Sequence, residues 1–180
     1  MTNRELETIE DREQFDRLDG VLKSMLDVPE LLNVEYLRRR CWEAVPFESA
    51  LHLNEVDADR MATAAARMGC HECNAIPTEG LTGPPHYRVP MDLKGLLEFS
   101  RKCAHFRYLL IPDNESFAIL FSTEGYGVAA GPKRLVELIL AKSIEAARDD
   151  FRQFARAETL EPVRRLLTGI ARRYETLSAN

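Results

Sequence analysis

Four side chains that could bind a metal occur as two short pairs. Cys70 and Cys73 are separated by two residues, and Cys103 and His105 are separated by one. Cysteine thiolates and histidine imidazoles are preferred zinc ligands, and four of them complete the closed tetrahedral shell of a structural site. The sequence therefore allows a zinc site that uses all four residues. We favour the alternative, in which the cysteines are small buried side chains, because a chain of this length can fold without a metal.

A redox role for the first cysteine pair is disfavoured by its position. In redox motifs of the thioredoxin type the pair begins a helix, whose dipole stabilises the thiolate. Here Cys70 follows Gly69, which is predicted to end a helix, and the dipole at that end disfavours an anion. The pair is therefore expected to be structural or metal-binding rather than redox-active.

No catalytic motif is recognisable. The chain contains neither G-x-S-x-G nor H-E-x-x-H. Cys103 and His105 have the chemistry of a nucleophile and a base, but no third group that would orient them can be identified. The glycines at 125, 127 and 131 do not have the spacing of a dinucleotide fingerprint. We predict no catalytic residue and lean against an enzyme.

A proline-rich stretch at residues 76–90 is predicted to be an irregular loop with an interface. It contains four prolines and two glycines, which disfavour regular structure. Prolines stiffen a loop and lower the entropy lost on docking, and tyrosine and arginine are frequent interface anchors. His86, Tyr87 and Arg88 are therefore candidate partner-binding residues. The alternative is an exposed crossover whose tyrosine packs on the body of the domain.

A row of arginines is the second candidate interface. A long helix is predicted from Gly131-Pro132 to Ala157, and Arg148, Arg152 and Arg156 lie four residues apart on one of its faces. Such a row could contact an acidic partner or, less favoured, nucleic-acid phosphates. Intervening aspartates make a solvated face the favoured alternative.

Charge and hydropathy limit the possible environments. The net charge is −5, which argues against a general nucleic-acid or membrane-binding surface. No apolar run approaches the roughly 18 residues of a membrane helix, and the N-terminus has no signal-peptide pattern. A cytoplasmic location is expected, with cysteines that are thiols or ligands rather than disulfides.

The elements that must position these residues indicate an α+β fold. Apolar runs separated by turn residues predict a small, mainly antiparallel sheet, built on a three-strand meander at about 107–130. One or two further strands are predicted, at 49–53 and 71–76. Both faces of the meander are apolar, so both need cover, which we expect from the chain's own helices.

Helical periodicity surrounds the sheet. An N-terminal helical pair is predicted at 11–26 and from residue 27 to Val45, where Pro46 ends it. Further helices are predicted from Asp57 to Met68 and around 93–100, and two more at the C-terminal end. We expect residues 1–157 to form a single domain.

Residues 158–180 are predicted to form the last helix. Its apolar residues form a heptad seam, which can pack on the domain or on the same helix of a homodimer. The seam comprises Leu160, Val163, Leu167, Ile170, Tyr174 and Leu177.

The leading interpretation is a non-catalytic protein-binding or regulatory module, of the adaptor, inhibitor or immunity-protein type. It is based on the stiff loop, the apolar sheet and the heptad seam, and on the absence of a catalytic motif. No cofactor is expected in this interpretation. A zinc-stabilised domain is the first alternative, with zinc as its cofactor. A small-molecule enzyme or sensor, with an apolar pocket between residues 76–90 and the meander, is the second.

Overall fold

The computed structural model describes residues 6–49, 53–79, 84–175 and 177, which contain nine strands and seven helices. The strands are β1 (Glu7–Thr8), β2 (Leu26–Val28), β3 (Leu31–Leu32), β4 (Glu43–Glu48), β5 (Glu72–Pro77), β6 (Tyr87–Pro90), β7 (Tyr108–Ile111), β8 (Ala118–Phe121) and β9 (Tyr126–Gly131). The helices are α1 (Arg12–Met25), α2 (Val34–Arg39), α3 (Glu55–Arg67), α4 (Leu93–Cys103), α5 (Lys133–Leu140), α6 (Ile144–Ala157) and α7 (Glu161–Glu175).

A seven-stranded antiparallel sheet forms the centre of the molecule, with strand order β1-β6-β5-β7-β8-β9-β4. Its middle is the meander β7-β8-β9, as predicted, with Leu109 opposite Leu120 and Leu120 opposite Val128. The sheet is larger than expected, because four further strands extend the meander on its two sides. β2 and β3 form a separate small ribbon. The α+β class is confirmed.

The chain's own helices cover both faces of the sheet, as expected from the apolar runs. Alternate residues of each strand point to opposite faces, so Leu110 of β7 joins a core with α3, α4 and α5. Its neighbour Leu109 joins a second core with α1, α2, α6 and α7. Both leucines are fully buried.

The prediction that the second helix continues to Val45 is wrong. Helix α2 ends at Arg39, Cys41 adopts a left-handed conformation with φ of 54°, and β4 follows. Pro46 lies within β4, opposite Val128 of β9. Proline cannot donate a ladder hydrogen bond, but an edge strand tolerates it, and β4 is the last strand of the sheet.

The long helix predicted to end at Ala157 is two helices. Ala141 is left-handed, with φ of 53°, and ends α5. The side chain of Ser143 then accepts a hydrogen bond from the backbone N–H of Ala146 at 3.2 Å and begins α6. The break allows α6 to pass the edge of the sheet at β4, so Ala147 joins the first core and Phe151 the second.

The stretch at residues 76–90 is less irregular than predicted. Its last four residues form strand β6, in which Val89 lies opposite Cys73. Pro90 ends this strand, where a missing donor costs little. Residues 80–83 lie outside the described residues, and so do residues 50–52 of the strand predicted at 49–53.

The heptad seam of α7 is used within the chain. Leu167, Ile170 and Tyr174 are buried against the second core, and α7 packs on α6 and β4. The Tyr174 hydroxyl accepts a hydrogen bond from the backbone N–H of Leu32 at 2.9 Å. Leu160 precedes the helix and is 63% exposed. The seam that suggested a homodimer is therefore already occupied.

Candidate functional site

A groove of about 790 Å³ lies between α3, β4 and α6. We call it the α3–α6 groove. Helix α3 contributes its first two turns, β4 contributes its last residues, and α6 contributes one side along its whole length. The end of α5 and the turn after it add Leu140 and Lys142. The lining residues are Phe47, Glu48, Asn54, Asp57, Arg60, Leu140, Lys142, Ala147, Asp150, Phe151, Gln153, Phe154 and Ala157.

Aromatic rings form the floor of this groove. Phe47 and Phe154 are half-buried, and each packs on a neighbouring ring, with centroids 6.4 Å from Phe121 and 5.8 Å from Phe151, respectively. Gly127 makes room for Phe47, because a Cβ at residue 127 would lie 2.5 Å from Cζ of the Phe47 ring. The floor is therefore apolar and held in place by the strand beside it.

Charged side chains line the rim, and most of them are paired with each other. Arg60 lies 2.8 Å from Asp57, and the Lys142 ammonium lies 2.5 Å from Asp150. Within the described part of the chain no cation pairs with Glu48, which is exposed. Three acids and two cations leave the lining with one excess negative charge.

The opposite side of α6 carries the arginine row. Arg148 Nη2 donates to Glu43 of β4 at 3.0 Å and to the Tyr174 carbonyl at 3.2 Å. Arg152 contacts Asp149 and donates to Glu175 of α7 at 2.7 Å. Arg156 is exposed. Two of the three arginines in this row therefore join α6 to the rest of the chain.

The predicted interface at residues 86–88 lies in and beside strand β6. The His86 ring is buried, with its centroid 4.1 Å from that of Phe15, and burial lowers the pKa of its imidazole below 6.5. Tyr87 is half-buried near Tyr108. Arg88 is 3.7 Å from Glu72. Tyr87 and Arg88 remain partly accessible, whereas His86 belongs to the interior.

A polar groove of about 570 Å³ is found beside Arg88. It is lined by Asp11, Glu13, Gln14, Arg17, Arg88 and Asp113. Asn74, buried beneath it, donates to Asp113 at 2.9 Å and accepts from Gln14 at 3.2 Å. The hydrogen bond from Asn74 lowers the pKa of the Asp113 carboxyl. This groove is charged, and so differs from the apolar pocket predicted near residues 76–90.

The four predicted zinc ligands are not gathered into one site. In the parts of the chain that the structure describes, no three His, Cys, Asp or Glu side chains converge as metal ligands. Cys103 is buried beside a small cavity lined by Phe99 and Ser100, and burial raises the pKa of its thiol to about 11. His105 is exposed.

Cys70 and Cys73 do meet. Their Sγ atoms are 3.7 Å apart, and the Cys70 thiol also donates to the Glu72 carbonyl at 3.3 Å. The hydrogen bond from Cys73 lowers the pKa of Cys70, whereas burial raises that of Cys73 well above its ordinary value. Gly69, with φ of 68°, turns the chain between α3 and β5 and brings the two thiols together.

Sequence reasoning missed the groove because its aromatic residues resemble ordinary core residues. Phe154 belongs to a stripe at three-four spacing that predicts a buried face. The one available signal was Ser143, a good N-cap residue inside the predicted long helix. A break there changes the direction of α6 and leaves Phe154 partly exposed.

Comparison with known proteins gives no guide to function: no family model matches this chain, and neither the curated proteins nor the solved structures contain a match. Among the described residues, no helix is both long enough and apolar enough to cross a bilayer.

Proposed function

We propose that this protein is a non-catalytic protein-binding module, and that the α3–α6 groove holds a basic, amphipathic segment of a partner protein. The observation that carries the proposal is the partly open aromatic floor at Phe47 and Phe154. Rings of this kind at the centre of a concave surface are typical anchoring positions in protein interfaces.

The length of the groove supports a peptide segment as the occupant. Its lining follows α6 from Ala147 to Ala157, which is about 15 Å at 1.5 Å per residue. A segment that places two or three apolar side chains along three helical turns matches this length. Its apolar side chains would contact Phe47 and Phe154 and displace water from them.

The charge of the groove supports a basic partner. The ion pairs Asp57–Arg60 and Lys142–Asp150 neutralise four of the five charged groups in the lining. Glu48 remains, at the end of β4, and the whole chain carries a net charge of −5. Charge complementarity of this kind determines specificity and association rate more than affinity.

A matched pair of variants tests the proposal. Ala157 and Arg156 are neighbours, both exposed, and point about 100° apart around α6, but only Ala157 lines the groove. Tagged wild-type protein, Ala157→Trp and Arg156→Trp are purified from the native cell, and the co-purifying proteins are quantified by mass spectrometry.

We expect to find a protein that co-purifies with the wild type and with Arg156→Trp. The amount of this protein should be at least tenfold lower with Ala157→Trp. Exposed substitutions change stability by about 0.5 kcal/mol or less, so both variants should unfold at nearly the wild-type denaturant concentration. If no protein distinguishes the two variants, the groove is not the binding site.

A further inference from the structure

We propose, contrary to the expectation from the position of the motif after a helix, that Cys70 and Cys73 form a redox-active dithiol, which hydrogen peroxide converts into an intrachain disulfide. This inference concerns a modification site near the C-terminal end of α3. It does not depend on the groove, whose α3 residues lie in the first two turns of that helix.

The two thiols are close enough to bond after a small movement. Their Sγ atoms are 3.7 Å apart, and a disulfide requires about 2.05 Å. Cys73 lies in strand β5, where it pairs with Val89 and is fixed by the sheet. Cys70 lies in the connection after α3, so its side chain is the one that can move.

The accessibility of the thiols assigns their roles. Cys70 is half-buried, whereas Cys73 is 1% exposed. A small oxidant therefore reaches Cys70 first, and Cys73 is positioned to attack the oxidised sulfur. This arrangement is the usual one for redox-sensing cysteines, in which an accessible thiol lies beside a resolving thiol.

The reaction balances with peroxide as the only oxidant. The Cys70 thiolate attacks one oxygen of hydrogen peroxide, an S–O bond forms, and the O–O bond breaks. The leaving hydroxide takes a proton and becomes water. The Cys73 sulfur then attacks the Cys70 sulfenic acid, an S–S bond forms, and the S–O bond breaks. The second hydroxide takes the proton that Cys73 loses, so two thiols are oxidised and one peroxide is reduced to two waters.

Formation of the Cys70–Cys73 disulfide has a local structural cost. The Cys70 thiol gives up its hydrogen bond to the Glu72 carbonyl, while its backbone N–H is bonded to the Ala65 carbonyl at 2.9 Å. Disulfide formation therefore removes one hydrogen bond from the turn that joins α3 to β5.

The chain contains two cysteines that serve as internal controls. Cys41 is exposed and Cys103 is buried. In the described part of the chain neither has a second thiol within hydrogen-bonding distance. An unselective oxidant would modify Cys41 first, because it is the most accessible thiol of the four.

The test uses the full chain and hydrogen peroxide. After a graded peroxide treatment, free thiols are alkylated, and peptides are mapped by mass spectrometry. We expect a disulfide between Cys70 and Cys73 at peroxide doses at least tenfold below those that oxidise Cys41. In Cys73→Ser, dimedone should trap a sulfenic acid on Cys70, and in Cys70→Ser, Cys73 should remain a thiol at the same dose. Cys41→Ser should form the disulfide as the wild type does.

Two results would overturn the proposal. One is oxidation of Cys41 at doses that leave Cys70 and Cys73 reduced. The other is protection of both thiols by bound zinc, revealed if they become reactive only after a chelator is added. The wild-type peptide map decides between these outcomes even if a serine variant fails to fold.

Discussion

The two long sides of helix α6 differ in what they contact. One side carries three arginines, of which Arg148 and Arg152 are bound to side chains of β4 and α7. The other side carries Ala147, Phe154 and Ala157 and faces an open groove. The charged side is thus occupied by the chain itself, whereas the apolar side is partly exposed to solvent.

This difference reverses the expectation based on residue type. A row of arginines is a typical interface signal, and a phenylalanine in a helical stripe is a typical core signal. Arg148 and Arg152 are engaged because Glu43 and Glu175, which lie in distant segments, reach them. No spacing rule within α6 predicts those contacts. The phenylalanine is accessible because the helix crosses an edge of the sheet. Three substitutions test the comparison, from the largest expected effect on stability to the smallest.

Arg148→Ala should have the largest effect on stability. The side chains of Arg148 and Glu43 are only 11% and 19% exposed, so removing the guanidinium leaves a poorly solvated carboxylate and takes one hydrogen bond from the Tyr174 carbonyl. We expect the free energy of unfolding to fall by about 2–3 kcal/mol. Denaturant unfolding measures it, and the groove partner should still bind to the folded variant. A loss below about 0.5 kcal/mol would show that the arginine side is not structural.

Gly127→Ala should have an intermediate effect on stability and a direct effect on the groove. The added methyl group would lie 2.5 Å from the Phe47 ring and 3.0 Å from the Leu120 carbonyl, so the ring has to move. Overpacking of this kind costs about 1–3 kcal/mol, and we expect the lower half because the ring can move toward the groove. Binding of the partner should weaken at least tenfold. If the Phe47 ring is displaced and the partner still binds with unchanged affinity, Phe47 is not part of the binding surface.

Arg152→Ala should have a small effect. Its pair with Glu175 is more than one third exposed on both sides, so water and salt screen the attraction. The expected loss is about 0.2–1 kcal/mol, and it should shrink further in high salt. Arg156→Ala is the matched control, with a change of about 0.5 kcal/mol or less. A loss at residue 152 as large as that at residue 148 would mean that the two pairs are equally buried.

Local patterns predicted the centre of the fold better than its edges. The meander was predictable because its apolar runs and turn residues act over a few neighbouring residues. Strand β4 was not, because Pro46 normally ends a helix and only its pairing with Val128 of β9 makes it part of an edge strand. The α5–α6 break depends on a left-handed alanine, Ala141, a residue type that rarely adopts this conformation.

Only the local geometry of the candidate sites could be predicted from the sequence. The two-residue gap in Cys70-x-x-Cys73 was visible in the sequence, but the contact between the thiols depends on the turn at Gly69. The proposed meeting of that pair with Cys103 required a long-range arrangement, and the fold does not provide it among the described residues. The groove forms where separate segments of the chain, α3, β4 and α6, come together. A pattern within one segment cannot predict that they meet.

Site-specific photo-crosslinking tests the central claim most directly. A photoreactive phenylalanine analogue is placed at residue 157 on the groove side or at residue 156 on the arginine side, and the full chain is irradiated in its native cell. A partner held in the groove should crosslink at least tenfold more strongly from residue 157 than from residue 156, and the adduct should map to a basic, amphipathic segment. Equal crosslinking from both positions, or crosslinking from residue 156 alone, would contradict the account.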